Sequence, residues 1–365
     1  MSQQEQRKTT ANRRREIQKK KKRQRKVFLL ALEIFVLLIL AVVLYGVTKL
    51  GRIQNVEIPE ENIEINEGIS SEAQEIMNEY TTIALFGLDN RSNGNLSSGR
   101  SDVIMVATIN NDTKEVKICS VYRDSYLDVG NGTFKKCNSA YAEGGPEQAI
   151  NMLNKNLDLA ITDYVTVDFN AVVECIDLLG GVEVTVTDDE ANWMYGYMDE
   201  IAKLTGNDYE LLPGAGTYTL DGVQACAYAR IRMGDGSDYR RTERQRLIVS
   251  QMVEKAQKSD LATLNKIINA MFDKIQTSFS NTELLELAAQ VFDYKLGEMS
   301  GFPFLKNAVT LGSKGNVVVP CTLESNVTAL HEFLYGNTEY EPSTEVKANS
   351  TMIEKDTGFG EGDGA

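Results

Sequence analysis

The chain has 365 residues, with 38 Lys+Arg, 52 Asp+Glu and a single His, for a formal net charge of −14. Residues 1–26 hold 12 of the basic and 2 of the acidic side chains, so the rest of the chain carries a balance of −24 and would repel a nucleic acid's phosphates. One histidine, His331, excludes a multi-histidine metal site and leaves any catalysis to Asp, Glu, Arg, Lys, Tyr, Ser or Cys.

Taken in chain order, residues 1–26 form a basic tail. Residues 27–48 are apolar apart from Glu33, and as a helix they span about 33 Å, enough to cross a hydrocarbon core of about 30 Å. Basic residues crowd the N-terminal flank, while only Lys49 and Arg52 follow closely on the other side. The positive-inside rule then places the N-terminus in the cytoplasm and everything after the helix outside the cell. A cleaved signal peptide is the competing account, but the stretch is long for one and no small-x-small site follows. The basic tail is accounted for by anionic lipid at the inner leaflet.

Residues 49–80 are acidic and polar and are expected to form a stalk. Strand and helix signals then alternate. Residues 82–87, 103–109, 116–121, 164–167 and 182–186 read as strands, and 146–156 and 170–179 as helices, the latter stopped by Gly180-Gly181. Residues 220–229 suit a short helix leading into a strand. Residues 242–258, 261–276 and 281–294 read as amphipathic helices, 307–311 and 317–320 as late strands, and 326–334 as a last helix. The interleaving predicts an α/β layered fold over residues 81–336, with a core at 81–258. Residues 337–365 are polar and Gly-rich and are expected to be disordered.

The cysteines Cys119, Cys137, Cys175, Cys226 and Cys321 include no Cys-x-x-Cys. They read as buried small hydrophobes, with one disulfide pair left open. The lone Trp193 is either a packed aromatic or a loop residue that touches substrate.

Three segments interrupt the apolar pattern with clustered charge. The first joins Asp89 and Arg91 to Arg100 and Asp102, and the second is Arg123-Asp124 at the end of the third strand. The third runs through Arg230 and Arg232 to Asp238, Arg240, Arg241, Glu243, Arg244, Gln245 and Arg246. Strand ends are where α/β proteins place ligands. Arg230 and Arg232, two apart, would share one side of an extended segment, and Arg241 shares a helix face with Arg244 and with Gln245. Guanidinium pairs bidentately with phosphate, and Asp89 and Asp102 supply hard oxygens for Mg²⁺. Together these groups describe a site for a metal-bound pyrophosphate; the competing account is a solvated face of salt bridges.

The segments LFGLDNR, GRSDVIMVATIN, SVYRDSYL, KCNSAYAEGG, DYVTVDF, DLLGGVEV, LDGVQACAYARIR and DYRRTERQR stand in that order behind one anchor helix. In this the chain resembles the LytR–CpsA–Psr cell-wall ligases of Gram-positive bacteria, strongly over residues 80–258 and more loosely to about 335. The resemblance implies αβα layers around a mixed sheet, an apolar tunnel for a lipid, and a pyrophosphate site lined by arginines that holds Mg²⁺ (or Mn²⁺). It implies transfer of a glycopolymer, such as teichoic acid or capsule, from an undecaprenyl-pyrophosphate carrier to peptidoglycan through a phosphodiester. By motif, Asp89 and Asp102 are the metal carboxylates, and Arg123, Arg230, Arg232 and Arg241 are the catalytic pyrophosphate clamps. Asp238 and Gln245 match polar positions of that site, with Arg91, Arg100 and Arg244 in support. Asp89 or Asp102 is the expected proton acceptor. Tyr122 stands where the family often has Pro, and Leu127 where it can carry a further Arg, a contact either lost here or supplied by Arg240. Two alternatives remain open at this point: a hydrolase of polyprenyl pyrophosphates, and a non-enzymatic regulator or wall-binding protein.

Overall fold

The computed structural model describes residues 54–89, 95–232, 237–271 and 274–364. The expected basic tail, membrane helix and Arg91 lie outside the described residues. Among the described residues no helix is long and apolar enough to cross a membrane.

The described chain enters on a two-residue strand, β1 (Gln54–Asn55), followed by helix α1 (Ser71–Asn78). Three long strands come next: β2 (Tyr80–Leu88), β3 (Ser101–Asn110) and β4 (Glu115–Val121). A hairpin of β5 (Tyr126–Asp128) and β6 (Phe134–Lys136) leads into α2 (Ser139–Leu157), which leaves helical geometry at Gly144 and Gly145, just before Pro146. Strand β7 (Asp163–Asp168) feeds directly into α3 (Phe169–Leu178), whose N-cap Asp168 accepts from Ala171 N. Gly180 and Gly181, both at positive φ, end that helix as expected.

Next, β8 (Val182–Val186), α4 (Asp188–Thr205) and β9 (Gly216–Leu220) make a hairpin with a helix between its strands. Helix α5 (Gly222–Arg230) follows, capped by a reciprocal Asp221–Gln224 box, and then α6 (Ser237–Lys258) and α7 (Leu261–Met271). The chain closes with β10 (Ile275–Thr277), α8 (Asn281–Ala289), β11 (Lys295–Phe302), the hairpin β12 (Lys306–Thr310) and β13 (Asn316–Pro320), α9 (Leu323–Tyr335) and α10 (Thr344–Thr357).

Seven strands form one mixed sheet in the order β1-β10-β7-β2-β3-β4-β11. The β2–β7, β4–β11 and β1–β10 pairs are parallel and the other three antiparallel, so the expected mixed α/β sheet is present. Alternation along β2 and β3 sends successive side chains to opposite faces. Ala84, Phe86, Leu88, Ile104 and Val106 join a core with α1, α2, α9 and α10. A second core lies among α3, α4, α5, α6 and the β8–β9 hairpin. Helices thus cover both faces of the sheet.

Several sequence expectations need correction. Residues 54–80 are not a free stalk: β1 pairs with β10, and Ile69, Ala73 and Met77 are buried in the first core. Residues 337–365 are not a disordered tail. Val346 and Ile353, seven apart on α10, are fully buried, and the polar residues between them cover the exposed side of an amphipathic helix. The chain between Gly222 and Arg230 stays helical to its end, so Arg230 closes a helix rather than starting a strand. The late strands 307–311 and 317–320 pair with each other as β12 and β13, outside the main sheet, and the strands that join it are β10 and β11. Trp193 lies on α4, partly buried against the second core.

Candidate functional site

The second helical layer does not close fully onto the sheet. A cavity of about 570 Å³ lies between them. From the sheet come Leu85, Val103, Met105, Val165 and Val167, and from the helices Val172, Cys175, Cys226, Ile248, Val249 and Met252. These residues line a predominantly apolar channel. The charged and amide residues in its lining are contributed where β2 and β7 end, where β3 begins, at the end of α5 and at the start of α6: Asp89, Asp168, Asp102, Arg230, Arg232, Arg241 and Gln245.

Close approach of α3 and α5 shapes this wall. A Cβ on Gly222 would fall 2.2 Å from the Val173 carbonyl oxygen, so only glycine fits there. The same α5 carries Cys226, Ala229 and Arg230 to the cavity.

At the polar end, Arg123 Nη1 donates to Asp102 Oδ2 at 2.6 Å, and Arg232 Nη2 reaches the same oxygen at 3.1 Å. Arg230 Nη2 lies 3.5 Å from Asp89 Oδ2 and 3.4 Å from Glu200 Oε2, and its guanidinium sits over the rings of Phe169 and Tyr197, at 4.8 and 5.6 Å from their centres. Arg241 is 2% exposed and pairs with Asp238 Oδ1 at 2.9 Å. Arg123 Nε lies 3.7 Å from that same oxygen and from Asp124 Oδ1.

Burial pulls Arg241 down to about 10, helped by Arg123 and Arg232, against the opposing pull of Asp238 and Asp102. Burial likewise raises Asp238, although Arg241 and Arg123 oppose it. Burial also works against the charge of Arg123, but Asp102, Asp124 and Asp238 outweigh it and raise its pKa. Several buried polar atoms have no hydrogen-bond partner among the described residues: Asp89 Oδ1, Arg123 Nε, Arg230 Nη1, Asp238 Oδ2 and Arg241 Nε. A group of orphaned donors and acceptors at one place marks a site built for a polar ligand rather than a finished salt-bridge network. Of the two carboxylates expected to accept a proton, Asp102 has Oδ2 engaged twice, whereas Asp89 keeps Oδ1 unpartnered.

The structure therefore brings together Asp89, Asp102, Arg123, Arg230, Arg232, Asp238, Arg241 and Gln245. It places two other expected residues differently. Arg244 turns to Glu190 (Nε–Oε1 3.0 Å) and to the Ile231 carbonyl (3.2 Å), tying α6 to α4 and to the end of α5. Arg100 is exposed, and its carbonyl accepts from Asp89 N. Leu127 is fully buried and Arg240 is exposed. All five cysteines are free.

Sequence reasoning missed α4 and hence Glu190, Tyr197 and Glu200. The signal was present: Ala191, Met194, Met198 and Ile201 recur at helical spacing behind a Thr187–Glu190 capping box.

The apolar cavity thus runs at one end into a cluster of guanidinium groups and carboxylates. Residues 47–311 match the LytR_cpsA_psr family, and the chain belongs to that family. The polyisoprenyl-teichoic acid–peptidoglycan teichoic acid transferase TagU of Enterococcus faecalis is 30% identical over 239 residues, 63% of this chain and 73% of that protein. Among solved structures, TagT bound to LI-WTA matches with a TM-score of 0.57 at 22% identity, covering 77% of this chain and 99% of that one. A LytR-CPS2A-psr family protein, YwtF (TagT), with bound octaprenyl pyrophosphate lipid, matches with a TM-score of 0.51 at 21% identity, covering 71% of this chain and 92% of that one. These two likenesses establish the fold.

Proposed function

We propose that the protein transfers a glycopolymer phosphate from an undecaprenyl-pyrophosphate carrier to peptidoglycan. The observation that carries this reading is the joining of an apolar cavity to a guanidinium cluster in one continuous lining. An isoprenoid tail suits the channel and a pyrophosphate suits the cluster. The relatives named as teichoic acid transferases supply the reaction class.

In this scheme Arg230, Arg232 and Arg241 hold the pyrophosphate, and Arg123 fixes Asp102 beside them. The acceptor hydroxyl gives its proton to Asp89 or Asp102 and attacks the glycan-bearing phosphorus, the bond to the bridging oxygen breaks, and polyprenyl phosphate leaves. The product is a glycan–phosphate–peptidoglycan diester. Positioning and charge neutralisation supply most of the catalysis in such a transfer, so no histidine is needed. Asp89 and Asp102 fit a divalent cation such as Mg²⁺ or Mn²⁺: both line the cavity and Asp89 Oδ1 is orphaned. Two carboxylates are the usual protein share of a Mg²⁺ site completed by phosphate and water. Bound there, the ion would neutralise pyrophosphate charge. Residues 27–48 would anchor the chain by a single pass, N-terminus in the cytoplasm, with the domain outside beside the membrane-borne donor.

The test is to incubate the full-length protein in detergent with a polyprenyl-pyrophosphate-linked oligosaccharide, a divalent cation and a peptidoglycan fragment, and to follow products by mass spectrometry. The expected product is a glycan–phosphate–peptidoglycan adduct that disappears in Arg230→Ala and Asp102→Ala. Release of polyprenyl phosphate without an adduct would overturn transfer in favour of hydrolysis.

A further inference from the structure

A second cationic cluster adjoins the cleft and takes no part in the scheme above. Lys306, at the start of β12, places Nζ 5.4 Å from the ring centre of Tyr122 and 4.9 Å from that of Tyr239. The two rings meet edge to face at 5.0 Å. Arg246 approaches from α6. A Cβ on Gly301 of β11 would fall 2.4 Å from Tyr122 Oη and 3.2 Å from Arg246 Nη1, so only a glycine lets these two groups pack against the strand.

Among the described residues Lys306 Nζ donates only to the Phe304 carbonyl, at 3.2 Å, and Arg246 Nη1 is buried without a hydrogen-bond partner. Among the described residues neither forms an ion pair with a carboxylate. Glu243 is the acidic neighbour whose charge is felt at Lys306, but it lies outside ion-pair distance. Burial, reinforced by Arg246, lowers the Lys306 pKa against that influence. Two like charges held half-buried beside each other repel, and an anion between them removes that penalty.

The position ties the cluster to the reaction. Tyr122 precedes Arg123, Tyr239 follows Asp238, and Arg246 follows Gln245. The cluster is therefore one residue away from the charged groups of the site at three points, one just past β4 and two on α6. Its chemistry differs from that of the clamp, because it sets aromatic surface beside the cations. That combination suits an organic acid with apolar faces.

We propose that Arg246 and Lys306, with the rings of Tyr122 and Tyr239, form a subsite for a carboxylate of the acceptor, of the kind a peptide-bearing glycan carries. This rests on the transferase reading. Tyr122, which stands where the family often has Pro, is part of what builds it.

The experiment uses the full-length protein in detergent and a muropeptide fragment with its carboxylates free or amidated. Calorimetric binding without donor reads the subsite independently of turnover. The acidic muropeptide should bind about tenfold more tightly than the amidated one, and Lys306→Met and Arg246→Gln should each remove that preference. In the transfer assay the same variants should raise KM for the acidic acceptor by a similar factor while leaving KM for the donor unchanged, which also shows that they fold. Equal binding of the two muropeptides would overturn the proposal. So would a rise in donor KM in the variants, which would assign the cluster to an anion of the donor polymer. If the wild type prefers the acidic muropeptide but forms no adduct, the subsite stands and the transferase reading fails.

Discussion

Replacing Gly222 with alanine tests how the fold sets the site. The added Cβ would lie 2.2 Å from Val173 O and 2.7 Å from both Val173 C and Cα. Carbon–oxygen contacts relax near 3.4 Å, so α5 must retreat from α3 by about 1 Å. It cannot simply slide, because Gly222 N donates to Asp177 Oδ1 at 2.7 Å and Asp221 caps the helix. Overpacking of this kind costs about 1–3 kcal/mol, and the better helix propensity of alanine returns at most about 1 kcal/mol. The expected net loss is about 1–2 kcal/mol in urea-unfolding free energy. The larger effect should be on activity. Arg230 closes the same nine-residue helix, and misplacing a phosphate clamp by about 1 Å can cost on the order of 100-fold in rate. Transfer should fall at least tenfold while most of the stability survives. An alanine variant as stable and as active as the wild type would refute the argument that this contact positions Arg230.

Three further outcomes are expected. Arg123→Ala should reduce transfer more than tenfold and weaken donor binding, because it removes a guanidinium beside the pyrophosphate and leaves Arg232 alone to hold Asp102; a donor titration of the variant checks this. Cys175→Trp should block the channel, so that a long-chain polyprenyl donor is used at least tenfold less well while a short-chain donor keeps most of its rate; equal losses for both would refute the channel assignment. His331 is buried, its Nε2–H donates to the Leu157 carbonyl, and burial lowers its pKa from 6.5 to about 4. Its stabilising effect is complete above pH 6.5 and is lost as pH falls toward 4, because the unfolded chain takes up a proton that the folded one refuses. The loss is on the order of 3 kcal/mol, and a His331→Phe variant should show a shallower decline of unfolding free energy over that window.

What the sequence revealed follows from which interactions are local. The strands β2, β3, β4 and β7 and the stop at Gly180-Gly181 were legible because period-two alternation and positive-φ glycines are local signals. The charged clusters were legible because buried arginine is rare enough to stand out. Arg230 at the end of a helix was not legible, since Ala-Tyr-Ala-Arg-Ile-Arg suits a strand as well as a helix and the close contact at Val173 decides between them. The places of residues 54–80 and 337–365 were hidden for a related reason. Contacts distant in sequence hold them: Asp158, at the far end of α2, accepts from Asn66 and Ser343 and joins both segments. The separate fates of Arg241 and Arg244, three apart, turn on Glu190, which belongs to a helix the sequence reading did not assign.

The cavity also has a thermodynamic meaning. Its walls are residues of the kind that close a core, yet across it the sheet and the α3–α5–α6 layer meet over less apolar surface than a closed interface would offer. On the proposed function an isoprenoid chain lying there would complete that interface, so its binding energy would also be folding energy for this half of the molecule. Ligand at 100 times its dissociation constant raises the unfolding free energy by about 2.7 kcal/mol through mass action alone. On the same proposal the protein would be most robust while loaded and would soften at the moment the polyprenyl product departs.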